Sequence, residues 1–99
     1  MRRPAAKLRP PRSGDYGRVV ALHGELYARE FGYDATFEAL VAEIAAQFVR
    51  DFDPRRERCW IAEKAGEVVG SVFVVDAGRG VAKLRLLILG RAEIGRAHV

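Results

Sequence analysis

The hydrophobic pattern of the 99-residue chain changes its period once, at Pro54. Before Pro54, apolar side chains recur every three or four residues, which is the spacing of helices that bury one face. After Pro54, apolar residues form short runs separated by glycine-containing turns, which is the pattern of antiparallel strands. A helical part followed by hairpin strands predicts an α+β fold, in which helices cover an antiparallel sheet.

The helical part divides into two helices at Gly32. Asp15 is a suitable N-cap for the first helix, and Gly32 is expected to end it. Thr36 is a suitable N-cap for the second helix, and Pro54 ends its pattern. Each helix has one apolar stripe that predicts core residues: Val19, Leu22, Leu26 and Tyr27 in the first, and Phe37, Leu40, Val41, Ile44, Phe48 and Phe52 in the second.

Four strands are predicted, one before the helices and three after them. The first is short because prolines flank it, and we expect it at a sheet edge. Within the third, Gly70 predicts a bulge or a close approach of two backbones. Within the last, four consecutive apolar residues, 86–89, predict burial on both faces. The strands are Ala6 to Arg9, Cys59 to Lys64, Val68 to Val75 and Val81 to Leu89, so the order of elements is β-α-α-β-β-β.

The composition is that of a globular domain and argues against a membrane or secreted protein. Hydrophobic residues make up 49% of the chain, which is typical of a folded domain. No stretch approaches the roughly 20 consecutive apolar residues of a membrane span. The N-terminus also lacks the apolar segment of a signal peptide. We therefore expect no membrane partner.

Cys59 is the only cysteine and is separated in sequence from the two histidines. It cannot form an internal disulfide, which favours a cytoplasmic location. The separation also leaves no ligand set of the usual zinc spacings, so no metal site is expected. We expect Cys59 to be a small buried residue and not a nucleophile, and its neighbour Trp60 to lie in the core.

The net charge of +4 is concentrated at the N-terminus. The first twelve residues contain five bases and no acid, and such an arm can bind nucleic acid by neutralising phosphates. No aromatic residue is interleaved with these bases as a stacking surface, which argues against nucleic acid. The alternatives are a solvated extension or a contribution to binding an anionic small molecule. One hypothesis for function is therefore a small basic binding module that contacts nucleic acid or a protein partner. The five bases are Arg2, Arg3, Lys7, Arg9 and Arg12.

Three sequence blocks carry a family resemblance: LHGELYAREFGYDATFEALVAEIAAQFVRDFDP, RERCWIAEKAGEVVGSVF and VAKLRLLIL. In this order they resemble the first half of the GNAT-type N-acetyltransferase superfamily, in a subgroup often fused to MarR-type regulators. The resemblance covers roughly residues 8–89. It implies a mixed, mostly antiparallel sheet covered by helices, acetyl-CoA as co-substrate and a primary amine as acceptor. A homodimer is among its expectations, and nucleic-acid binding would belong to a separate upstream regulator domain.

The resemblance also implies two sets of site residues. Leu87, Ile88 and Leu89 take the place of the strand that binds acetyl-CoA, with the amides of Leu87 and Leu89 paired to the pantetheine arm. An amide near the thioester can also stabilise the oxyanion of the tetrahedral intermediate. The end of the first helix borders the acceptor site, and an aromatic and acidic surface there suits a cationic amine. The substrate-binding residues expected there are Tyr27, Glu30 and Phe31.

Further candidates combine residue chemistry with the acceptor site that the resemblance implies. Glu63, in a predicted strand, is the best-placed acid in the sheet for a general base that acts through water. His23 could line the acceptor channel or carry protons, although a core or surface histidine is the simpler interpretation. Lys83 and Arg85 alternate on the last strand and share a face, which can meet either an acidic acceptor group or solvent.

The end of the chain departs from the family pattern. A pyrophosphate loop, Q/R-x-x-G-x-G/A, should follow Leu89 and lead into a helix. The sequence continues instead as GRAEIGRAHV, and EIGRAHV is what one frame of a common sequencing adapter would encode. We therefore expect a partial acetyltransferase domain over residues 1–92 and a foreign tail over residues 93–99. Such a fragment is expected to have little or no activity alone.

Overall fold

A computed structural model describes residues 5–90 of the chain. Its elements follow the predicted order, which confirms the α+β class: β1 (Lys7–Arg9), α1 (Asp15–Phe31), α2 (Ala35–Arg50), β2 (Arg58–Lys64), β3 (Glu67–Asp76) and β4 (Ala82–Leu89). The predicted tail over residues 93–99 lies outside the described residues.

The four strands form one antiparallel sheet in the order β1-β2-β3-β4. Among the described residues, β1 and β4 are therefore the two edge strands, as predicted for β1. The register places Cys59 of β2 beside Phe73 of β3, and Ile61 beside Ser71. Because side chains alternate along a strand, these four side chains share one face of the sheet.

Both helices begin with caps that differ from the predicted ones. The N-cap of α1 is Gly14, which has a φ of 96°, and Asp15 is the first helical residue. The N-cap of α2 is Asp34, whose carboxylate accepts a hydrogen bond from the backbone N–H of Thr36 at 2.9 Å. In both cases the observed N-cap precedes the predicted one, by one residue in α1 and by two residues in α2.

The ends of the helices are determined by backbone geometry. Gly32 adopts the left-handed conformation and its N–H donates to the carbonyl of Ala28 at 3.0 Å, which confirms Gly32 as the end of α1. The second helix ends at Arg50, so Phe52 lies beyond it and is 40% exposed. Its predicted place in the buried stripe is therefore wrong. Leu40 is also half exposed, because it lies on the side of α2 that faces solvent.

The core lies between the helices and one face of the sheet. Phe73 is fully buried and forms edge-to-face contacts with Tyr16 of α1 and Phe48 of α2, with ring centroids 6.1 and 4.8 Å apart. Val19 and Cys59 complete this cluster together with Ile61. Burial of Val19, Val41, Phe48 and Cys59 confirms those parts of the predicted core.

No helix among residues 5–90 covers the opposite face of the sheet. Leu8, Trp60, Leu84 and Leu87 are all exposed. The prediction that Trp60 lies in the core is wrong for this reason. Burial of β4 on both faces is also wrong, since Leu87 is 58% exposed whereas Ile88 is 5% exposed.

Gly70 lies at a bulge and at a close approach of two backbones, which confirms the prediction for it. The pairing of β2 with β3 passes from Ala62 beside Gly70 to Glu63 beside Val68, so Val69 is the extra residue. A Cβ on Gly70 would overlap the carbonyl oxygen of Ile88 in β4. The absence of a side chain therefore allows β3 and β4 to pair here.

Gly70→Ala is expected to lower the free energy of unfolding by about 1–3 kcal/mol, the usual cost of overpacking. The matched control is Gly17→Ala, where an added Cβ has no neighbour within 4 Å. That control lies inside α1 and should stabilise the protein by about 0.5–1 kcal/mol, because alanine favours a helix. Urea unfolding followed by circular dichroism measures both changes. Equal effects of the two substitutions would contradict the close packing assigned to Gly70.

Candidate functional site

A second bulge interrupts the pairing of β3 with β4. Val72 of β3 lies opposite two residues of β4, Leu86 and Leu87. Leu86 has a φ of 48°, in the left-handed region that a leucine rarely adopts. The hydroxyl of Ser71 donates to the carbonyl oxygen of Leu86 at 2.6 Å and so holds the bulge in place. Bulges of this kind bend a strand and change the direction in which its backbone groups point.

Beyond this bulge, β4 presents free backbone groups at its outer edge. The N–H of Gly90 donates to the carbonyl of Val69 at 2.7 Å, so Gly90 points towards β3. Backbone groups alternate along a strand, and those of Ile88 therefore also point towards β3. The amides of Leu87 and Leu89 point the other way. Since β4 is the edge of the described sheet, these two amides have no strand partner within residues 5–90.

The three residues expected to bind the cofactor thus differ in the direction of their backbone N–H groups and in the burial of their side chains. Leu87 and Leu89 offer backbone donors, and the side chain of Leu87 is largely exposed. Ile88 instead buries its side chain in the protein. The arrangement can form main-chain hydrogen bonds with an extended ligand along the edge of β4, as in strand addition.

Glu63 belongs to an ion-pair cluster at the other edge of the sheet. Arg9 donates from Nε to Glu63, and from Nη1 and Nη2 to the carboxylate of Asp15 at 2.7 and 3.1 Å. Arg12 donates to Glu63 at 3.1 Å through its side chain and to Asp15 at 2.6 Å through its backbone N–H. Asp15 is almost completely buried. This cluster joins β1 to β2 and to the start of α1.

The arginines of the cluster keep both carboxylates ionised. The hydrogen bonds from Arg9 are the main cause that lowers the pKa of Asp15 and the pKa of Glu63. Asp15 and then Glu63 in turn raise the pKa of the Arg9 guanidinium. A carboxylate with a lowered pKa is a weak base, because it holds a proton poorly. The contacts of Glu63 therefore describe a residue that fastens β1, and its role as general base stays a prediction.

The same cluster bears on the basic arm. Arg9 and Arg12 form ion pairs with carboxylates, so their charges are compensated within the protein. This reduces what these two residues can offer to phosphates. Arg2 and Arg3 lie outside the described residues.

An aromatic cluster surrounds Tyr27 where α1 ends and α2 begins. The ring centroid of Tyr27 lies 5.3 Å from that of Phe31, 5.8 Å from Tyr33, 4.7 Å from Phe37 and 6.0 Å from the imidazole of His23. Phe31 and Tyr33 are largely exposed. The structure thus brings the predicted Tyr27 and Phe31 together. Tyr33 and Phe37 were not expected at a site, although aromatic residues on both sides of Gly32 are a signal for such a cluster.

The remaining candidates are separate from this cluster or at its margin. His23 is buried and donates from Nδ1 to the carbonyl of Val19 at 2.8 Å, and burial lowers its pKa. It is a core histidine with a satisfied hydrogen bond. Glu30 is exposed on α1. Lys83 is exposed, and Arg85 is half-buried beside Phe73 on the face that the helices cover.

No family model, curated protein or solved structure matches this chain. The resemblance to N-acetyltransferases therefore stays a prediction from the sequence. Within residues 5–90, no three histidine, cysteine or acidic side chains are grouped so that they could hold a metal ion. Neither described helix is long and apolar enough to cross a membrane.

Asp15→Asn is expected to make the protein less stable at neutral pH and to flatten its acid dependence. The lowered pKa of Asp15 means that its contribution is complete above roughly pH 5 and is lost as the pH falls below about 4. The melting temperature of the variant should therefore be lower than wild type at pH 7, with the difference closing towards pH 3. Thermal unfolding between pH 3 and 7 measures this.

Glu43→Gln is the matched control for this substitution, since it removes one exposed carboxylate from α2. It should follow the wild-type curve. A difference between Asp15→Asn and wild type that stays constant across the pH range would show that the ion pair does not stabilise the fold.

Proposed function

We propose that this chain forms part of an N-acetyltransferase, which transfers an acetyl group from acetyl-CoA to a primary amine. The observation that carries the proposal is the edge of β4, where a bulge at Leu86 is followed by the outward amides of Leu87 and Leu89. These are the positions that the family resemblance assigns to the pantetheine arm. Geometry and resemblance therefore agree on one short segment.

The chemistry of the pantetheine arm suits such an edge. The arm is extended and contains two amide groups, which can exchange hydrogen bonds with a strand as a neighbouring strand does. The two outward N–H groups of Leu87 and Leu89 are spaced by two residues, the repeat of an extended chain. Because the contact uses backbone groups only, the side chains of the segment need not be polar. Its leucine and isoleucine residues are consistent with this.

The transfer itself needs a neutral amine and a polarised thioester. The amine nitrogen loses a proton to a base and attacks the thioester carbonyl carbon, which forms the C–N bond. A backbone N–H near the carbonyl oxygen stabilises the negative charge of the tetrahedral intermediate. The nitrogen then gives up its second proton, the C–S bond breaks as the carbonyl re-forms, and the CoA thiolate leaves and takes up a proton. Glu63 is the proposed base, through water; it lies two strands from β4, and its two arginine partners make it a weak base.

The acceptor amine is proposed to bind at the end of α1. Tyr27 and Phe31 present aromatic rings that attract a cation, and Glu30 adds a carboxylate on the same helix. An enzyme of this kind would act in the cytoplasm, where Cys59 stays reduced.

Addition of acetyl-CoA is expected to slow amide hydrogen exchange at Leu87 and Leu89, because the ligand would take up their free donors. Exchange at Ile88 and Gly90 should change much less, since those amides already point towards β3. Two-dimensional NMR of the labelled chain reads all four amides in one experiment. An unchanged spectrum for residues 86–90 at millimolar acetyl-CoA would contradict the proposal.

Leu89→Pro is expected to weaken acetyl-CoA binding about five- to tenfold, the value of one hydrogen bond. Proline removes the outward N–H and is tolerated where a strand edge faces solvent. Leu89→Ala is the matched control, because it shortens the side chain but keeps the N–H. It should bind within about twofold of wild type, and equal losses in the two variants would assign the effect to the side chain. Circular dichroism verifies that both variants fold.

A further inference from the structure

A cavity of about 420 Å³ lies between the segment after β1, the end of α2 and the start of β2. Its size is within the range of small-molecule sites, roughly 300–1,000 Å³. Its walls are mostly apolar, and include Phe52, Pro54 and Trp60. Its lining contains no residue of β4 and so does not belong to the edge described above.

The walls of this cavity are held in place before any ligand binds. Pro10, Pro11 and Pro54 line it, and the proline ring restricts the backbone at each position. Phe48, at the base, is buried and packs against Phe73 of the core. These restrictions reduce the ordering of the lining that binding of a ligand would require.

Two aromatic side chains of the cavity are left partly in water. Phe52 is 40% exposed and Trp60 is 38% exposed. The ring of Phe52 lies 5.2 Å from that of Phe48, so it is supported on one side and open on the other. Burial of such surfaces by a ligand is favourable by about 25 cal/mol per Å² of apolar area. Aromatic walls of this kind favour a flat ring.

Arg58 is the one charged residue among the described residues that line the cavity. Its Nη1 donates to the carbonyl oxygens of Pro54 and Glu57, the latter at 2.7 Å, which fixes the orientation of the guanidinium. Within residues 5–90, no carboxylate forms an ion pair with it. This contrasts with Arg9 and Arg12, whose charges are compensated.

The other polar groups of the cavity do not oppose an anion. Burial raises the pKa of the Cys59 thiol to about 12 and also raises the pKa of Tyr16. Both side chains are therefore uncharged at neutral pH. In the part of the chain that the structure describes, the cavity thus combines an apolar interior with one positive charge that has no ion-pair partner.

We propose that this cavity binds a small planar aromatic carboxylate, with its ring against Phe52 and Pro54 and its carboxylate on Arg58. This site is independent of the proposed acetyl transfer. The ligand class follows from the shape and charge of the lining: the aromatic walls select a flat apolar body, and the guanidinium selects a carboxylate by charge-assisted hydrogen bonds.

The test compares 2-naphthoate with the uncharged 2-naphthamide, which has nearly the same shape. Trp60 is the only tryptophan of the chain, so its indole N–H gives a single NMR signal at the cavity. 2-Naphthoate is expected to shift this signal in a saturable way, with an affinity at least about fivefold higher than that of the amide, as expected for a charged hydrogen bond. Equal affinities of the two probes, or no shift with either, would overturn the proposal.

Two variants separate the charge from the apolar walls. Arg58→Gln should reduce the affinity for 2-naphthoate to that for 2-naphthamide, while the affinity for 2-naphthamide stays unchanged. Phe52→Ala should weaken both probes. Arg55→Gln is the matched control, because it removes an exposed arginine from the same loop outside the lining. If Arg58→Gln still bound 2-naphthoate more tightly than 2-naphthamide, the role of Arg58 would be refuted. Retained binding of 2-naphthamide confirms that this variant folds.

The two proposed binding sites can be tested independently of each other. 2-Naphthoate should leave the amides of Leu87 and Leu89 unchanged, and acetyl-CoA should leave the indole signal of Trp60 unchanged. A shift of the Trp60 signal by acetyl-CoA alone would assign the cavity to the acetyl-CoA site and overturn its independence.

Discussion

The contact of Phe73 with Tyr16 and Phe48 joins the three parts of the core: the central strand β3 and the two helices. Phe73 is fully buried, and both partner rings meet it edge-on, the favourable geometry for aromatic pairs. Since both helices pack on this side, the apolar side chains of one sheet face are covered and those of the other are not. The uncovered face, with Leu84 and Leu87, is a direct consequence of this one-sided core.

The two bulges determine how the one-sided sheet ends. Gly70 lets β3 approach the backbone of β4, and the left-handed Leu86 then bends β4 away from regular pairing. The two features are neighbours, because the hydroxyl of Ser71, next to Gly70, donates to the carbonyl oxygen of Leu86. The outcome is a bent edge strand whose outward amides have no strand partner within residues 5–90.

Arg9 and Arg58 have different roles in the structure because their hydrogen-bond partners differ. Arg9 lies between a buried aspartate and Glu63, and its charge is used to fasten β1. Arg58 is held by backbone carbonyls, which orient the guanidinium, and no carboxylate among residues 5–90 forms an ion pair with it. The first arrangement stabilises the fold, and the second leaves a charge at the rim of an apolar cavity. Composition alone, with its excess of basic residues, does not distinguish the two.

The order and type of the elements, the end of α1 at Gly32 and the close approach at Gly70 could be predicted from the amino-acid sequence. These features depend on local periodicity and on the conformational freedom of single residues. Three other features could not be predicted and follow from the folded arrangement: the exposure of Trp60 and Leu87, the shared ion pairs of Glu63, and the cavity that Pro10 and Phe52 both line. These features depend on which distant segments meet, and no local pattern encodes whether a second layer covers an apolar strand face. The segment at Leu87 and Leu89 combines both kinds of information: the resemblance drew attention to these residues, and the place of β4 at the edge of the sheet leaves their amides without a strand partner within residues 5–90.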